Sequence, residues 1–192
     1  MISNDRQYRS FEVRAEPEGF VLEGYAAVFD APDVMYEVDG VQYNEVIERG
    51  AFDEAQMNDV VLNFNHGGKP AARTKNSTLM LNTDEHGLKV WADLSSTAES
   101  RALWESVKTG LLDKMSFAFT VAKEAYDKAT RTRRITGIKR LYDVSVVDFP
   151  AYDRTSVLAR SFFEAEAERE RAEARNALEL AKAKYFYMGV KI

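Results

Sequence analysis

The sequence has 192 residues, 45% of them hydrophobic and 11% aromatic, which suits one globular domain with an appendage. Its formal net charge of −5 excludes a global basic field that would attract nucleic acid. Cysteine is absent from the sequence, which excludes thiol nucleophiles, disulfides and thiolate metal sites and agrees with a reducing cytoplasm.

The first third of the chain is predicted to consist mainly of strands. Residues 11–29 alternate in polarity and break at Pro17 and Gly19, which predicts a hairpin that leads into a long strand. Three further elements follow: a turn over 30–33, a strand over 41–49 that ends at Gly50, and a short helix over 51–55. No segment has the apolar length of a signal peptide or membrane span, so we expect a soluble protein made in the cytoplasm.

The middle of the chain has the clearest strand patterns. Residues 60–66 read VVLNFNH and predict a strand, which the glycines and proline of residues 67–70 should end. Residues 77–94 form two alternating runs around a turn over 83–87, which predicts a β-hairpin. A capping box over 96–99 then predicts a helix that continues to about Lys108 and ends at Gly110.

The last third predicts two strands and a helix. Residues 115–122 and the run RLYDVSVVDF before Pro150 are strand-like, with the basic segment TRTRR ahead of the second strand. Six to eight strands with two or three short helices indicate a β-rich α+β domain, a barrel or two packed sheets. After about Arg160, residues Ala, Glu, Arg and Lys predominate, which favours one solvated or partner-binding helix. We predict a domain over 1–160 and a charged helical extension over 161–192.

Two histidines limit the search for a catalytic site. His86 lies in the predicted hairpin turn, where an exposed surface residue is expected. His66 ends a strand ahead of two glycines, a place where a fold can hold an imidazole and still admit a substrate. A serine becomes a useful nucleophile when an imidazole takes its proton and a third group orients that imidazole. Ser116, in the apolar run MSFAF, is the candidate serine, although a serine in a strand is usually only a small residue.

An acid in the last strand is the candidate third group. Asp143 should share one strand face with Ser145 and Val147, and a buried carboxylate without a partner costs several kcal/mol. Asp148 competes for this role, although it lies at the strand end and can instead bind loop amides. A hydrolase with the chain order His, Ser, Asp is therefore a hypothesis. It lacks the G-x-S-x-G elbow, and its order differs from the familiar serine-hydrolase orders.

Four motifs in order carry a family resemblance. The segments LNFNHGGKPAARTKN, STLMLNTDEHGLKVWADL, VKTGLLDKMSFAFTV and LYDVSVVDFPAYDRTSV resemble the prohead maturation proteases of tailed bacteriophages over roughly residues 10–160. These enzymes look like relatives of the herpesvirus capsid proteases. The resemblance implies an orthogonally packed β-barrel of about seven strands ringed by short helices. The helical tail that the composition predicts follows this barrel.

The resemblance also implies roles for the candidate residues. The nucleophile falls on Ser116, the general base on His66 and the third member on Asp143, where the phage family more often has Glu. Backbone N–H groups of the loop over 150–154 should hold the oxyanion, with Arg154 as a side-chain helper. No metal or cofactor is implied, because two distant histidines and no cysteines make no zinc site.

The implied function is a serine endopeptidase that matures a viral capsid inside the assembling prohead, in the host cytoplasm. Its expected substrates are the scaffolding protein or a scaffold-like segment of the major capsid protein, and the protease itself. Self-association is expected by the same resemblance, and neither nucleic acid nor a membrane is an expected partner. The basic TRTRR segment would suit an acidic extended substrate, although a solvated loop is the simpler interpretation. The alternative function is a non-catalytic assembly or scaffold protein that keeps the barrel.

Overall fold

A computed structural model describes residues 7–16, 19–148 and 157–187. The chain divides into two compact units, Met1–Ser156 and Val157–Ile192. Within the described residues, the first unit contains ten strands, one α-helix and a short 3-10 helix over Thr74–Asn76. The strands and the α-helix are β1 Gln7–Ala15, β2 Val21–Val28, β3 Asp33–Val38, β4 Val41–Ile47, β5 Val61–Phe64, β6 Gly67–Arg73, β7 Leu79–Thr83, β8 Gly87–Asp93, α1 Ala98–Lys108, β9 Lys114–Asp127 and β10 Thr132–Val147. The second unit contains one helix, α2, over Val157–Tyr187.

The ten strands form one curled sheet in the order β3-β4-β10-β9-β1-β2-β8-β7, with β5 paired to β10 and β6 paired to β5. The sixteen-residue strand β10 organises this sheet. Its residues Thr132–Ile135 pair in parallel with β4, and Asp143–Val146 pair in parallel with β5. Four register shifts interrupt the antiparallel β9–β10 ladder, and such bulges bend and twist paired strands. The expected β-rich α+β class is confirmed.

The hydrophobic core lies against one face of the β9–β10 ladder. Met115, Phe117 and Phe119 alternate along β9 and are each fully buried, with the last two rings stacked at 4.7 Å between centroids. Val144 and Val146 cover the same face of β10 and are also fully buried. Because side chains of a strand alternate between faces, the residues between these apolar ones point to the opposite face.

Several expected elements differ from the observed ones. Residues 51–55 form turns, not a helix, and bury Phe52 in the core at 2% exposure. The glycine- and proline-containing segment after His66 is strand β6, not a loop, because its backbone pairs with β5. Strands β3 and β6 were absent from the sequence-based prediction, so the described residues contain more strands than the six to eight expected. The helix after the core domain begins at Val157, a few residues before the expected start.

Helix α1 and the β7–β8 hairpin agree with their sequence signals. The helix is capped by Thr97, whose Oγ1 accepts a hydrogen bond from the Ser100 N–H at 3.0 Å, so the cap lies one residue after the expected Ser96. Gly110, where the helix was expected to end, has a φ of +73°. No helix in the described ranges combines the length and apolarity that a membrane crossing requires.

Candidate active site

His66 lies in the tight turn between β5 and β6. Phe64 pairs with Gly67, so Asn65 and His66 are the two central residues of the turn. Their φ angles are +50° and +58°, and positive φ at both central positions is the requirement of a type I′ hairpin turn. Asn and His tolerate this region better than most residues. The local sequence therefore presents the imidazole at the tip of a hairpin.

Three hydrogen bonds attach this turn to the end of β10. The Asn65 N–H donates to the Val146 carbonyl at 3.0 Å, which extends the parallel β5–β10 ladder by one bond. The Asn65 side-chain oxygen accepts from the Asp148 N–H at 3.2 Å. The His66 N–H donates to Ser145 Oγ at 3.2 Å. The position of the imidazole is thus set by β10 as well as by its own hairpin.

Ser116 and Asp143 lie on neighbouring strands and on the same sheet face. Ser116 of β9 pairs with Ser145 of β10, and Asp143 pairs with Ala118. A register shift between Leu141 and Asp143 precedes this segment of β10. Beyond the shift, Asp143 and Ser145 point away from the core, as the alternation in the sequence predicts.

The three expected residues meet in a chain of hydrogen bonds. His66 Nδ1 lies 2.6 Å from Asp143 Oδ1, and His66 Nε2 lies 2.9 Å from Ser116 Oγ. Because an ionised carboxylate can only accept hydrogen bonds, Nδ1 carries the proton of the neutral ring. Nε2 is then an acceptor for the Ser116 hydroxyl. This is the arrangement in which an imidazole can remove a proton from a serine.

Burial differs among the three residues in a way that matters for chemistry. Ser116 is 1% exposed and the Asp143 side chain 7%, whereas the His66 side chain is 20% exposed. A buried carboxylate needs hydrogen-bond donors to offset its lost hydration. Asp143 Oδ1 has two of them, the His66 ring and the Ser145 hydroxyl, which donates at 2.9 Å.

Ser145 belongs to the site, although the sequence did not single it out as a candidate. Its hydroxyl touches both His66 and Asp143, although neither contact belongs to the expected triad. A signal for it was present in the sequence, because Ser145 lies two residues after Asp143 and shares its strand face. Its hydrogen bond to the turn of another hairpin was not readable from that spacing.

The two competing candidates, His86 and Asp148, lie outside the contact chain, which is the row of hydrogen bonds from Asp143 through His66 to Ser116. His86 is exposed in the β7–β8 turn, where its ring packs edge-on against Tyr25 at 4.5 Å between centroids. The Tyr25 hydroxyl donates to Asp84 of the same turn and lowers the pKa of that carboxyl group. Asp148 is exposed, and its N–H binds Asn65. The carboxylate in contact with His66 is therefore that of Asp143.

The basic segment has a different setting from the expected solvated loop. Arg133 is 5% exposed, pairs with Glu45 at 3.0 Å and also contacts Glu124. Arg134 pairs with Glu48. Arg133 therefore joins β10 to its neighbours and is not presented to an acidic substrate.

Two expectations concern other parts of the chain. The proposed oxyanion loop over 150–154, including Arg154, lies outside the described residues. Within the ranges that the structure describes, no cluster of three or more His, Asp or Glu side chains is arranged to hold a metal ion.

The sequence of the chain is similar to those of known proteins. Residues 9–169 match the model of a family described as caudovirus prohead serine protease. The prohead protease of Enterobacteria phage HK97 is 32% identical over 143 residues, which cover 72% of this chain and 59% of that relative. The chain thus spans less than two thirds of the length of this relative. No solved structure matches the chain with significance.

Proposed function

The chain belongs to the caudovirus prohead serine proteases, and from this membership we propose that it is a serine endopeptidase with Ser116 as its nucleophile. The observation that carries the proposal is the hydrogen-bonded chain from Asp143 through His66 to Ser116, with distances of 2.6 and 2.9 Å. A non-catalytic assembly protein has no need of such a chain.

The proposed mechanism follows from the direction of these hydrogen bonds. As Ser116 Oγ attacks the carbonyl carbon of a peptide bond, His66 Nε2 removes the hydroxyl proton and then gives it to the leaving amine. Asp143 holds Nδ1–H and stabilises the positive charge that forms on the ring. Water, activated by the same imidazole, then hydrolyses the acyl-enzyme. Backbone N–H groups of residues 150–154, with Arg154, are proposed to hold the oxyanion.

We propose that the substrates are a scaffolding protein or scaffold-like segment of the major capsid protein, and the protease itself. Cleavage takes place inside the assembling prohead, in the cytoplasm of the host cell, and self-association of the protease belongs to the same proposal. The curled sheet is proposed to correspond to the orthogonally packed barrel of the herpesvirus capsid proteases. The helical extension is either an anchor to the scaffold or a segment that self-cleavage removes.

The experiment is co-expression of the chain with the major capsid protein of the same phage, followed by mass spectrometry of both intact proteins. We expect the wild-type chain to cleave the capsid protein and to be clipped near residues 155–170. Ser116→Ala should lower the cleavage rate by a factor on the order of 10⁴ or more. Continued processing by purified Ser116→Ala protein would show that the nucleophile is elsewhere.

A histidine variant provides an independent arm of the same experiment. His66→Gly removes the imidazole while keeping a residue that adopts the positive φ of the turn without strain. We expect cleavage to be lost and the thermal unfolding transition to remain. Imidazole added to the buffer should restore part of the activity, because the space of the missing ring lies between Asp143 and Ser116.

A further inference from the structure

We infer that Ser145 is a positioning residue of the active site, which orients Asp143 and His66 through one hydroxyl group. This inference rests on the proposed function, because it assigns a role within the same site. Ser145 is fully buried in β10 and lies directly opposite Ser116 of β9. Its hydroxyl lies on the sheet face that carries Ser116 and Asp143, next to the turn of His66.

The hydrogen-bonding capacity of the hydroxyl is used in both directions. A serine hydroxyl has one proton to donate and two lone pairs that accept. Ser145 donates its proton to Asp143 Oδ1 at 2.9 Å and accepts the His66 backbone N–H at 3.2 Å. The donated bond orients the carboxylate, and the accepted bond holds the backbone that carries the imidazole.

Asp143 Oδ1 links the Ser145 hydroxyl to the imidazole ring. The same oxygen accepts from His66 Nδ1 at 2.6 Å and from Ser145 Oγ at 2.9 Å. Without the hydroxyl, the carboxylate would keep the imidazole contact but lose the second donor that limits its rotation. Hydrogen bonds to ionised groups are stronger than those between neutral groups, so this donor matters to the orientation of the acid.

The turn that carries His66 depends on the same residue. The last ladder bond between β5 and β10 is donated by Asn65, and the next N–H along the chain is that of His66. At a φ of +58°, the backbone has left the strand conformation, and the Ser145 side chain replaces a carbonyl as the acceptor. Ser145 therefore couples the hairpin turn to the strand that supplies the acid.

The test measures the reactivity of Ser116 with a fluorophosphonate probe, which needs no knowledge of cleavage specificity. In this reaction the bond from Ser116 Oγ to phosphorus forms, the P–F bond breaks, and the hydroxyl proton leaves through His66. We expect Ser145→Ala to lower the maximal inactivation rate by about tenfold to a hundredfold, with the concentration for half-maximal rate nearly unchanged. Ser145→Thr, which keeps the hydroxyl, should recover most of the rate.

A matched control separates this role from a general loss of stability. Ser100 is also a fully buried serine, and its hydroxyl donates to the Ala71 carbonyl at 2.8 Å outside the contact chain. Ser100→Ala should change the thermal unfolding temperature but leave the inactivation rate of the folded protein at the wild-type value. The low-field NMR signal of the His66 Nδ1 proton should shift or broaden in Ser145→Ala and stay unchanged in Ser100→Ala.

A double-mutant cycle completes the design. If Ser145 acts on the inactivation rate through Asp143, then Ser145→Ala added to an Asp143→Ala variant should lower that rate further by less than about twofold. Full additivity of the two losses would overturn the assignment of this effect to Asp143, and a wild-type rate for folded Ser145→Ala would overturn the whole inference; the proposed function would stay in place in both cases. If the wild-type chain neither reacts with the probe at Ser116 nor cleaves capsid protein, the proposed function itself fails.

Discussion

At the scale of single residues, the site depends on hydrogen bonds that fix His66 through both ring nitrogens and through its backbone. His66 is oriented by Asp143 at Nδ1 and contacts Ser116 at Nε2, and its backbone N–H is bound to Ser145. The ring therefore has little freedom to turn before a substrate arrives. Such preorganisation means that the orienting groups should affect the rate although they form no bond with the substrate.

The two acids of the last strand should differ sharply in their effect on cleavage. Asp143→Asn removes the acceptor that fixes the imidazole tautomer, so it should lower the cleavage rate strongly, though less than Ser116→Ala does. Asp148→Asn is the matched control, because Asp148 contacts the turn residue Asn65 through its backbone N–H, which the substitution keeps. It should cleave at close to the wild-type rate. A larger loss in Asp148→Asn than in Asp143→Asn would transfer the role of third member to Asp148.

At the scale of elements, β10 is the strand that brings the site together. It is paired with β4 near its start, with β5 near its end and with β9 along its length. The β5 pairing delivers the turn that carries His66, and the β9 pairing delivers Ser116. Near the start of β10, Arg133 reaches Glu45 of β4 and Glu124 of β9 and links all three strands.

Removing the buried arginine should therefore destabilise the sheet. Arg133→Ala leaves Glu45, which is 2% exposed, without this partner, and breaking a buried ion pair costs about 3–5 kcal/mol. Arg134→Ala is the control, because its side chain is 43% exposed and a surface pair contributes about 0–1 kcal/mol. Urea unfolding in a Ser116→Ala background, which prevents self-cleavage, measures both values. Equal losses for the two variants would contradict this difference in burial.

At the scale of the whole molecule, the curled sheet separates stability from chemistry by its two faces. Met115 and Phe117 pack into the core, whereas Ser116 between them points to the face that carries His66 and Asp143. The proposed nucleophile is thus attached to a strand that core packing holds on the other side. A site built in this way keeps its geometry as long as the core remains folded.

A core variant should reveal this separation. Phe117→Ala removes a fully buried ring directly beside Ser116 in sequence, and such a substitution costs about 3–5 kcal/mol. We expect a large fall in unfolding temperature but near-normal fluorophosphonate reactivity at temperatures where the variant stays folded. Met80→Ala, at a side chain that is 52% exposed on β7, should change stability by less than about 0.5 kcal/mol. Loss of reactivity in folded Phe117→Ala protein would show that the two faces are coupled.

Local patterns in the sequence determined many of the elements. The alternating runs around residues 83–87 predicted the β7–β8 hairpin, and the run after residue 96 predicted α1, because turn and cap signals act within a few residues. The alternation DVSVV also placed Asp143 and Ser145 on one face. The failures occurred where backbone pairing overrode local propensity. The glycines of β6 pair with the adjacent strand β5, and the Ala51 carbonyl accepts a hydrogen bond from the Ile138 N–H of the distant strand β10 at 2.7 Å.

The family and the candidate residues His66, Ser116 and Asp143 were named from the sequence, by motifs that recur in order. Their mutual distances were decided only by the tertiary structure, because 50 residues separate His66 from Ser116 and 77 separate it from Asp143. No local signal reports which strands become neighbours in a sheet. The imidazole contacts Asp143 and not Asp148 because of the register of β10 against β5 and β9, which only the tertiary structure shows. The double contact of Ser145 required the same register, since it joins a strand to the turn of another hairpin.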